Sequence, residues 1–316
     1  MDSVILADLA SAFGFVPENT VPVSGGWLNE KWRATDGRRD VLIKQLSLTR
    51  YSEKGIHEIE AALKRQKLLK DIPCPGLWQS GEDIIRRPNE KTAYLVMDFC
   101  EGYEVSRENI TAVQLKDLGH VLGRIHRQMD EFSSLETVKG YPLSGESVLE
   151  SLHRIQAERR DALCDGDLQA YRQVLENWGR ILEGLTVEEL DSWPRGVGHE
   201  DFTPDNMLFH DQGVAAILDF DRNQYGFRYH DVGRILLSLA LMEEGLDPVR
   251  VRTFTEGYGS EYPFSESQLT DVLLATWCIE APWWINPRTF DSDSPKIRRF
   301  VDEILWLTEE CLKRKM

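Results

Sequence analysis

Hydrophobic residues follow two different periods along the chain, and the change between them separates its N-terminal part from the rest. Apolar residues at helical spacing predict a short helix over residues 3 to 14 and a second one around residues 56 to 63. Segments that begin at Val21 and Asp40 instead alternate apolar with polar residues, as strands do. From Leu115 onwards the spacing is mainly three and four, which predicts helices. The pattern therefore predicts an α+β fold with its sheet near the N-terminus.

A change in charge coincides with the end of the last strand-like run. The buried strand predicted from Ala93 breaks at Glu101 and Gly102. Residues 1 to 100 contain 14 Lys or Arg and 14 Asp or Glu, so the whole net charge of −16 lies in residues 101 to 316. Such a field repels nucleic acid and anionic membranes and attracts cations, although general solubility explains an acidic surface equally well. We predict two lobes, residues 1–98 and 99–316.

Composition indicates the size of the core, the compartment and the state of the thiols. The 316 residues are 41% apolar, which supports a full core, and no apolar run is long enough to span a membrane. The N-terminus has acidic residues where a secretory signal has basic ones. Five widely spaced cysteines without a Cys-x-x-Cys pair indicate free thiols rather than a zinc site or disulfides. We expect a cytoplasmic protein without membrane or nucleic-acid partners, and the sequence leaves its oligomeric state open.

The residues that carry chemistry are concentrated between positions 196 and 221. Two short apolar arms, residues 207–209 and 214–218, flank the turn His-Asp-Gln-Gly and predict a β-hairpin. Asn206 precedes the first arm and Asp219 follows the second, so the hairpin should bring the two residues together. Their carboxamide and carboxylate are hard oxygen ligands that suit Mg²⁺. The alternative is a polar hairpin whose Asn and Asp only cap turns.

Asp201 lies just upstream of this hairpin, in the segment His199-Glu200-Asp201 that leads to Asn206. A carboxylate there can accept a proton from a hydroxyl that attacks a metal-bound phosphate. Together with Leu218-Asp219-Phe220-Asp221, the segment resembles the H-x-D-x-x-x-x-N loop and the I/L-D-F/W-D/E segment of the aminoglycoside phosphotransferase and choline kinase family. Members of that family are small-molecule kinases with a two-lobed, protein-kinase-like fold.

The resemblance implies an activity and a role for each of these residues. It implies a phosphotransferase that uses ATP and Mg²⁺ to phosphorylate a hydroxyl group of a small molecule. Asp201 would be the catalytic base, and Asn206 and Asp219 would hold the metal. His199 would brace the loop.

A glycine turn follows the first predicted strand. Glycines let backbone amides approach a phosphate closely, but a Gly-Gly turn by itself is a weak signal because most such turns only reverse the chain. The resemblance implies that this turn covers the nucleotide, with binding residues Ser24, Gly25 and Gly26.

Lys44 lies between two leucines on one face of the third predicted strand. Its ammonium group either extends to water or contacts an anion, and the resemblance implies contact with the α- and β-phosphates. Similar proteins have a glutamate about thirteen residues ahead of a Pro-x-Pro segment like the one at Pro73. We therefore predict that Glu60 pairs with Lys44. Glu58 is the alternative, and a solvated helix glutamate is the third possibility.

Three further positions are predicted to bind the adenine, again by resemblance. Similar kinases bind its edge through the backbone after a bulky apolar residue. This implies a pocket wall at Met97, a hydrogen bond that the carbonyl of Asp98 accepts from the adenine, and one that the amide of Cys100 donates to it.

The segment after the hairpin bears on the acceptor. Only eleven residues separate Asp219 from Asp231, and the Ala-Pro-Glu anchor of protein kinases is missing, so we expect a small-molecule acceptor and a helix capped by Asp231. Aromatic residues of the last third, beside acidic groups such as Glu280, either hold a cationic acceptor of aminoglycoside or choline type or simply pack. A homoserine- or amino-alcohol-type metabolic kinase and a catalytically inactive relative are the alternatives.

Overall fold

The structure is a computed structural model that describes all residues except 24–28, 133–137, 142, 165, 167 and 316, and the side chain of residue 315. Its α-helices are α1 Ser3–Phe13, α2 Glu53–Leu68, α3 Ala112–Met129, α4 Gly145–Asp161, α5 Gln169–Gly184, α6 Val187–Ser192, α7 Tyr229–Ala240, α8 Pro248–Gly259, α9 Leu269–Trp284, α10 Pro287–Phe290 and α11 Pro295–Lys315. Its strands are β1 Asn19–Pro22, β2 Glu30–Thr35, β3 Asp40–Leu46, β4 Arg86–Asn89, β5 Thr92–Asp98, β6 Arg195–Gly198, β7 Met207–His210, β8 Gly213–Ile217, β9 Gln224–Phe227, β10 Leu241–Met242 and β11 Gly245–Leu246. The predicted α+β class is confirmed.

The chain divides into two compact units. The first unit contains residues 1–104 and 206–223, and the second contains residues 105–205 and 224–316. This differs from the predicted division at residues 98 and 99, because the chain continues to pair with the first unit after β5. The amide of Tyr103 donates to the carbonyl of Phe209 at 3.0 Å, and the amide of Phe209 donates back at 2.9 Å. The hairpin β7–β8 is also tied to this unit, since the amide of Ile217 donates to the carbonyl of Pro73 at 2.7 Å.

An antiparallel sheet in the order β1-β2-β3-β5-β4 forms the centre of the first unit. Helix α1 and the residues Trp32, Val41 and Ile43 form an apolar cluster. Because side chains alternate along β3, a second cluster contains Leu46 and the apolar residues of α2, with Leu42 packed against it. The strand-period prediction for β3 is therefore confirmed, and it places Lys44 among apolar side chains.

Helices make up most of the second unit, where α3 and α8 pack in direct backbone contact. A Cβ on Gly119 would lie 2.2 Å from the carbonyl oxygen of Phe254, and one on Gly257 would lie 2.1 Å from that of Lys116. Only glycine allows this approach. Every residue of α7 is buried, including the charged or polar residues His230, Asp231 and Arg234. Within the described part of the chain, no helix combines the length and apolar character needed to cross a membrane.

Candidate active site

The hairpin β7–β8 brings Asn206 and Asp219 to one end, as predicted. Met207 pairs with Ile217 in the ladder, and the amide of Leu218 donates to the carbonyl of Asn206 at 2.8 Å. Asp219 follows Leu218 in the chain, and its side chain is 32% exposed. Asp219 has a left-handed backbone with φ 65°, which aspartate tolerates better than most residues and which is typical of functional sites. A carboxamide and a partly solvated carboxylate fit Mg²⁺, which keeps several of its waters.

Lys44 is buried and bound to two carboxylates of this segment. It is 2% exposed, and its Nζ contacts Asp219 Oδ1 and lies 2.5 Å from Asp221 Oδ2. Burial alone would lower the pKa of Lys44, but the two carboxylates raise it above its usual range, so the ammonium group keeps its charge. The alternative in which Lys44 reaches out to water is therefore wrong. The motif quoted from the sequence contained Asp221 but assigned it no role, and the structure makes it a partner of Lys44.

Lys31 is a second lysine near these carboxylates. It lies directly opposite Lys44 in the β2–β3 ladder, so both side chains are on the same face of the sheet. Burial raises the pKa of Asp219, but the charges of Lys44 and then Lys31 bring it below its usual range. Like charges directly opposite each other in a sheet are destabilising. Two such lysines are typical of a place where anions gather, and the sequence pattern did not single out Lys31.

The predicted pair between Glu60 and Lys44 is wrong. The carboxylate of Glu60 accepts hydrogen bonds from the amides of Ile84 and Ile85 at 2.9 and 2.7 Å, and it lies 3.4 Å from Lys64. Two backbone amides ahead of β4 need an acceptor, and a charged one satisfies them well. The alternative, Glu58, lies 3.8 Å from Lys54. Lys44 pairs with Asp219 and Asp221 instead of with Glu60.

Asn223 fastens the end of this segment to α2. Its side-chain nitrogen donates to the carbonyls of Ala62 and Phe220, both at 2.8 Å. Its side-chain oxygen accepts from Nε of the buried Arg65 at 2.8 Å. The carboxylates of Asp219 and Asp221 are thus fixed by a structural contact four and two residues further along the chain.

In the second unit, the loop that contains Asp201 is held by Asp231. The carboxylate of Asp231 accepts from the amides of His199 at 2.6 Å and Glu200 at 2.9 Å, and from Nε2 of His126 at 3.1 Å. These bonds go to the loop and to α3, and Arg228 holds the capping position of α7, so the prediction that Asp231 caps this helix is wrong. Burial would raise the pKa of Asp231, but its partners lower it to about 2, so it remains a carboxylate.

His199 is buried and contacts the loop rather than solvent. It is 0% exposed, and the amide of Asp201 donates to its Nδ1 at 3.3 Å. Its ring meets that of Phe202 edge-on. These contacts fit the bracing role that the resemblance implies for His199, with the proton of the ring on Nε2.

Asp205, at the end of the same loop, contacts α11. Its carboxylate lies 2.5 Å from Nζ of Lys296 and 3.5 Å from Nη1 of Arg299. Burial raises the pKa of Asp205, but these cations lower it below its usual value. A separation of about ninety residues hides this contact from any local pattern in the sequence.

The positions predicted to bind adenine belong to β5 and the turn after it. Met97 is 9% exposed and packs in the α2-side cluster. The amide of Asp98 donates to the carbonyl of Gly76 at 2.8 Å, and its carboxylate accepts from Trp78 Nε1 at 2.8 Å. Burial raises the pKa of the Cys100 thiol, which keeps it protonated. The predicted loop residues Ser24, Gly25 and Gly26 lie outside the described residues.

The aromatic residues of the last third mostly pack, and Glu280 is not available to an acceptor. Its carboxylate is 9% exposed and is bound by His230 at 2.7 Å, by Arg234 at 3.2 Å and by Trp284 Nε1. The ring of Trp284 stacks on Phe300 with centroids 4.3 Å apart. The hypothesis that Glu280 and these rings hold a cationic acceptor is therefore wrong for Glu280.

Comparison with solved structures defines the fold. Amicoumacin kinase in complex with AMP-PNP, Ca²⁺ and amicoumacin is similar with a TM-score of 0.68 and 14% identity over 99% of this chain and 93% of that one. Aminoglycoside 2′-phosphotransferase-IIIa in its GDP complex gives 0.67 and 13% over 98% and 96%. Macrolide 2′-phosphotransferase from Brachybacterium faecium gives 0.64 and 14% over 96% and 98%. The chain has the two-lobed, protein-kinase-like fold of the aminoglycoside kinases.

Comparison of sequences places the chain in a family. The model of the phosphotransferase enzyme family matches residues 19–267, which is most of the chain. The protein therefore belongs to this family, and the resemblance read from the loop and the hairpin is confirmed.

The curated relatives are homoserine kinases. That of Bradyrhizobium sp. strain BTAi1 is 27% identical over 214 residues, which cover 65% of this chain and 59% of the relative. That of Gluconobacter oxydans strain 621H is 26% identical over 209 residues, covering 66% and 61%. The chain thus spans about three fifths of the length of the curated relatives it matches.

Proposed function

We propose that this protein is a kinase that uses ATP and Mg²⁺ to phosphorylate a hydroxyl group of a small molecule. The observation that carries the proposal is the buried ammonium of Lys44 bound to Asp219 and Asp221 at the open end of a hairpin that also delivers Asn206. A cation, two carboxylates and a carboxamide are the groups that phosphoryl transfer needs to hold phosphates and a metal. Membership of the phosphotransferase enzyme family supports the same reaction.

On this proposal, Lys44 and Lys31 bind phosphate oxygens of the nucleotide. Asn206 and Asp219 hold the Mg²⁺, which neutralises phosphate charge when bound. Asp221 keeps Lys44 charged and aimed. The backbone at residues 97–100 binds the adenine. AMP-PNP with a divalent cation in the amicoumacin kinase structure is consistent with these assignments.

Asp201 is the proposed base. Its carboxylate takes the proton of the acceptor hydroxyl as the oxygen–phosphorus bond forms, and ADP leaves with the electrons of the broken bond. Most of the rate enhancement comes from positioning and charge neutralisation, because phosphoryl transfer requires little covalent help from the protein. The backbone of this loop is fixed by Asp231, so the base is preorganised.

The acceptor is a small hydroxylated amine, and two classes are in question. Aminoglycosides and macrolides are named for the structural neighbours, and homoserine is named for the curated relatives. A homoserine-type acceptor is the second candidate, because the homoserine kinase relatives share a higher sequence identity with this chain than the structural neighbours do.

A panel of homoserine, choline, other amino alcohols, aminoglycosides and a macrolide, each with ATP and Mg²⁺, tests the proposal. We expect one class to give a phosphorylated product by mass spectrometry, with one ADP formed per product. Tight nucleotide binding without product from any member would indicate a catalytically inactive relative and contradict the proposal.

Replacing Lys31 with methionine tests the second lysine. We expect the KM for ATP to rise by about 3- to 10-fold at low ionic strength, and by less at high ionic strength, because Lys31 is partly exposed and its charge is screened by salt. Lys91→Met, an exposed lysine on the turn between β4 and β5, is the matched control and should leave the KM unchanged. An unchanged KM for Lys31→Met at low ionic strength would remove Lys31 from the phosphate site.

A further inference from the structure

Charged side chains of alternating sign form a continuous chain inside the second unit, and it begins beside the proposed base. Glu200 Oε2 lies 3.6 Å from Nδ1 of His230, and Nε2 of His230 lies 2.7 Å from Oε1 of Glu280. These three side chains are 6%, 3% and 9% exposed. Burial would lower the pKa of His230, but the two carboxylates raise it to about 10, so the imidazole is a cation at neutral pH.

This chain of charged side chains continues from Glu280 to the surface. Nη1 of Arg234 lies 3.2 Å from Oε2 of Glu280, and Nη2 of Arg234 contacts Glu303. Glu303 in turn lies 2.9 Å from Nη2 of Arg107, whose side chain is 24% exposed. Both Arg107 and Glu303 line a surface cavity of about 430 Å³. Three carboxylates and three cations therefore alternate from the loop after β6, through α7, α9 and α11, to the segment before α3.

Stability alone does not account for such a chain. Taking ions out of water is costly, and well-packed apolar residues often serve a fold as well as buried ion pairs do. The chain of charged side chains does, however, fix the position of its first member, Glu200. A Cβ on Gly226 would lie 2.6 Å from Oε1 of Glu200, and one on Gly198 would lie 3.1 Å from it. Because glycine has no Cβ, these two positions leave space for the carboxylate of Glu200.

The backbone of Glu200 is held in an uncommon conformation. Its φ is 65°, in the left-handed region that a non-glycine residue rarely adopts. Asp231 fixes the amide of Glu200 from one side, and His230 attracts its carboxylate on the other. At 3.6 Å the contact between Glu200 and His230 is an ion pair rather than a hydrogen bond, so it depends on charge. This conformation of Glu200 sets the direction in which the backbone enters the next residue, Asp201.

We propose that the chain from Glu200 through His230, Glu280, Arg234 and Glu303 to Arg107 positions the loop that carries Asp201, with Glu200 as the positioning residue. The proposal rests on the proposed kinase function for its effect on the reaction. Glu200 touches no substrate in this account; it acts through the backbone of Asp201. Glu200, the residue beside the proposed base, is therefore neutralised by His230 and adds no net negative charge next to Asp201.

Glu200→Gln is the first test because it keeps the size of the side chain and removes the charge on which the ion pair depends. We expect kcat to fall by about 10- to 100-fold, the range for a catalytic group displaced by about an ångström, while the KM for ATP changes by less than about twofold, because the nucleotide groups are left intact. His230→Gln should lower kcat similarly, and the double variant should be no worse than the poorer single one, since both remove the same link.

Asp8→Asn is the matched control. Asp8 is a partly buried carboxylate with cation and hydroxyl partners, Arg86 at 2.9 Å and Tyr94 at 2.7 Å, but it belongs to α1 in the first unit. It should lower the melting temperature without lowering kcat. A loss of kcat in Asp8→Asn equal to that in Glu200→Gln, or additive losses in the double variant, would show a general effect of stability and overturn the proposal. Unchanged kcat in a folded Glu200→Gln protein would overturn it as well.

A second readout does not depend on the reaction. Hydrogen exchange of the amides in residues 199–205 should become faster in Glu200→Gln than in the wild-type protein and stay unchanged in Asp8→Asn. If no acceptor is phosphorylated by the wild-type protein, the proposed function fails, and this measurement still decides whether the chain holds the loop. Equal exchange in the wild-type and Glu200→Gln proteins would contradict the positioning role.

Discussion

Asp201→Asn lowers kcat by roughly two to four orders of magnitude on our account, which is the range for the loss of a general base. Asparagine has the same shape but cannot take the proton of the acceptor hydroxyl. The dissociation constant for the nucleotide should stay within about threefold of the wild-type value, because the proposed phosphate and metal groups are on other residues. Steady-state kinetics and calorimetric titration with AMP-PNP and Mg²⁺ measure the two quantities separately.

Asp293→Asn provides the control for this substitution. Asp293 is fully exposed ahead of α11, and the same chemical change there should leave kcat and nucleotide affinity as they are. If kcat of Asp201→Asn stays within about threefold of the wild-type value, Asp201 is not the base. If nucleotide affinity falls together with kcat, the loop contributes to binding rather than to proton transfer.

Lys44→Met weakens binding of the nucleotide by about 10- to 100-fold, since a hydrogen bond to a charged group is worth about 1.5–3 kcal/mol. Methionine fits the apolar surroundings of Lys44 between Leu42 and Leu46, so the protein should remain folded. Without the ammonium group, Asp219 and Asp221 repel each other, and the pKa of Asp221, which burial and Asp219 already raise, should rise further.

The measurement is calorimetric titration of AMP-PNP in the presence of Mg²⁺, together with the melting temperature. Lys54→Met, at an 87% exposed position of α2, is the control and should change neither. A large drop in melting temperature for Lys44→Met with unchanged nucleotide affinity in the folded fraction would mean that Lys44 serves the fold alone.

Local periodicity was enough to predict the elements that carry the groups proposed to bind the nucleotide. The alternation of apolar residues along β3 put Lys44 on the same face as Leu46, and that face is the one that α2 covers. The two apolar arms of β7 and β8, separated by a turn, predicted the hairpin. Both predictions depend only on residues a few positions apart in the sequence, so they did not require knowledge of tertiary contacts.

The partners of buried charges could not be predicted in the same way. The resemblance paired Glu60 with Lys44 because of its spacing from Pro73, but in the fold the carboxylate of Glu60 accepts hydrogen bonds from two amides ahead of β4. Asp231 stands in the first turn of a helix, where a capping role is natural, and instead it binds the amide of His199, 32 residues earlier in the chain. Each of these choices depends on which unpaired donor the folded chain brings near, and the sequence does not show that distance.

One signal for the charged chain was present in the sequence but led to a different interpretation. Glu280 lies in the apolar run Thr-Trp-Cys-Ile-Glu-Ala, and Arg234 precedes Ile-Leu-Leu. A charge inside an apolar helix is almost never buried without a partner. That rule predicts that Glu280 and Arg234 have partners of opposite charge, although it does not say that they are each other's.

The central claim is that the open end of the β7–β8 hairpin holds the metal of a metal–nucleotide complex, with Lys44 on the phosphates. A crystal structure of the protein with AMP-PNP and Mn²⁺, with an anomalous difference map recorded at the manganese edge, tests it most directly. We predict an anomalous peak about 2 Å from the side-chain oxygens of Asn206 and Asp219, as for an octahedral ion of this kind. A nucleotide-bound structure whose peak lies away from both residues would contradict the claim.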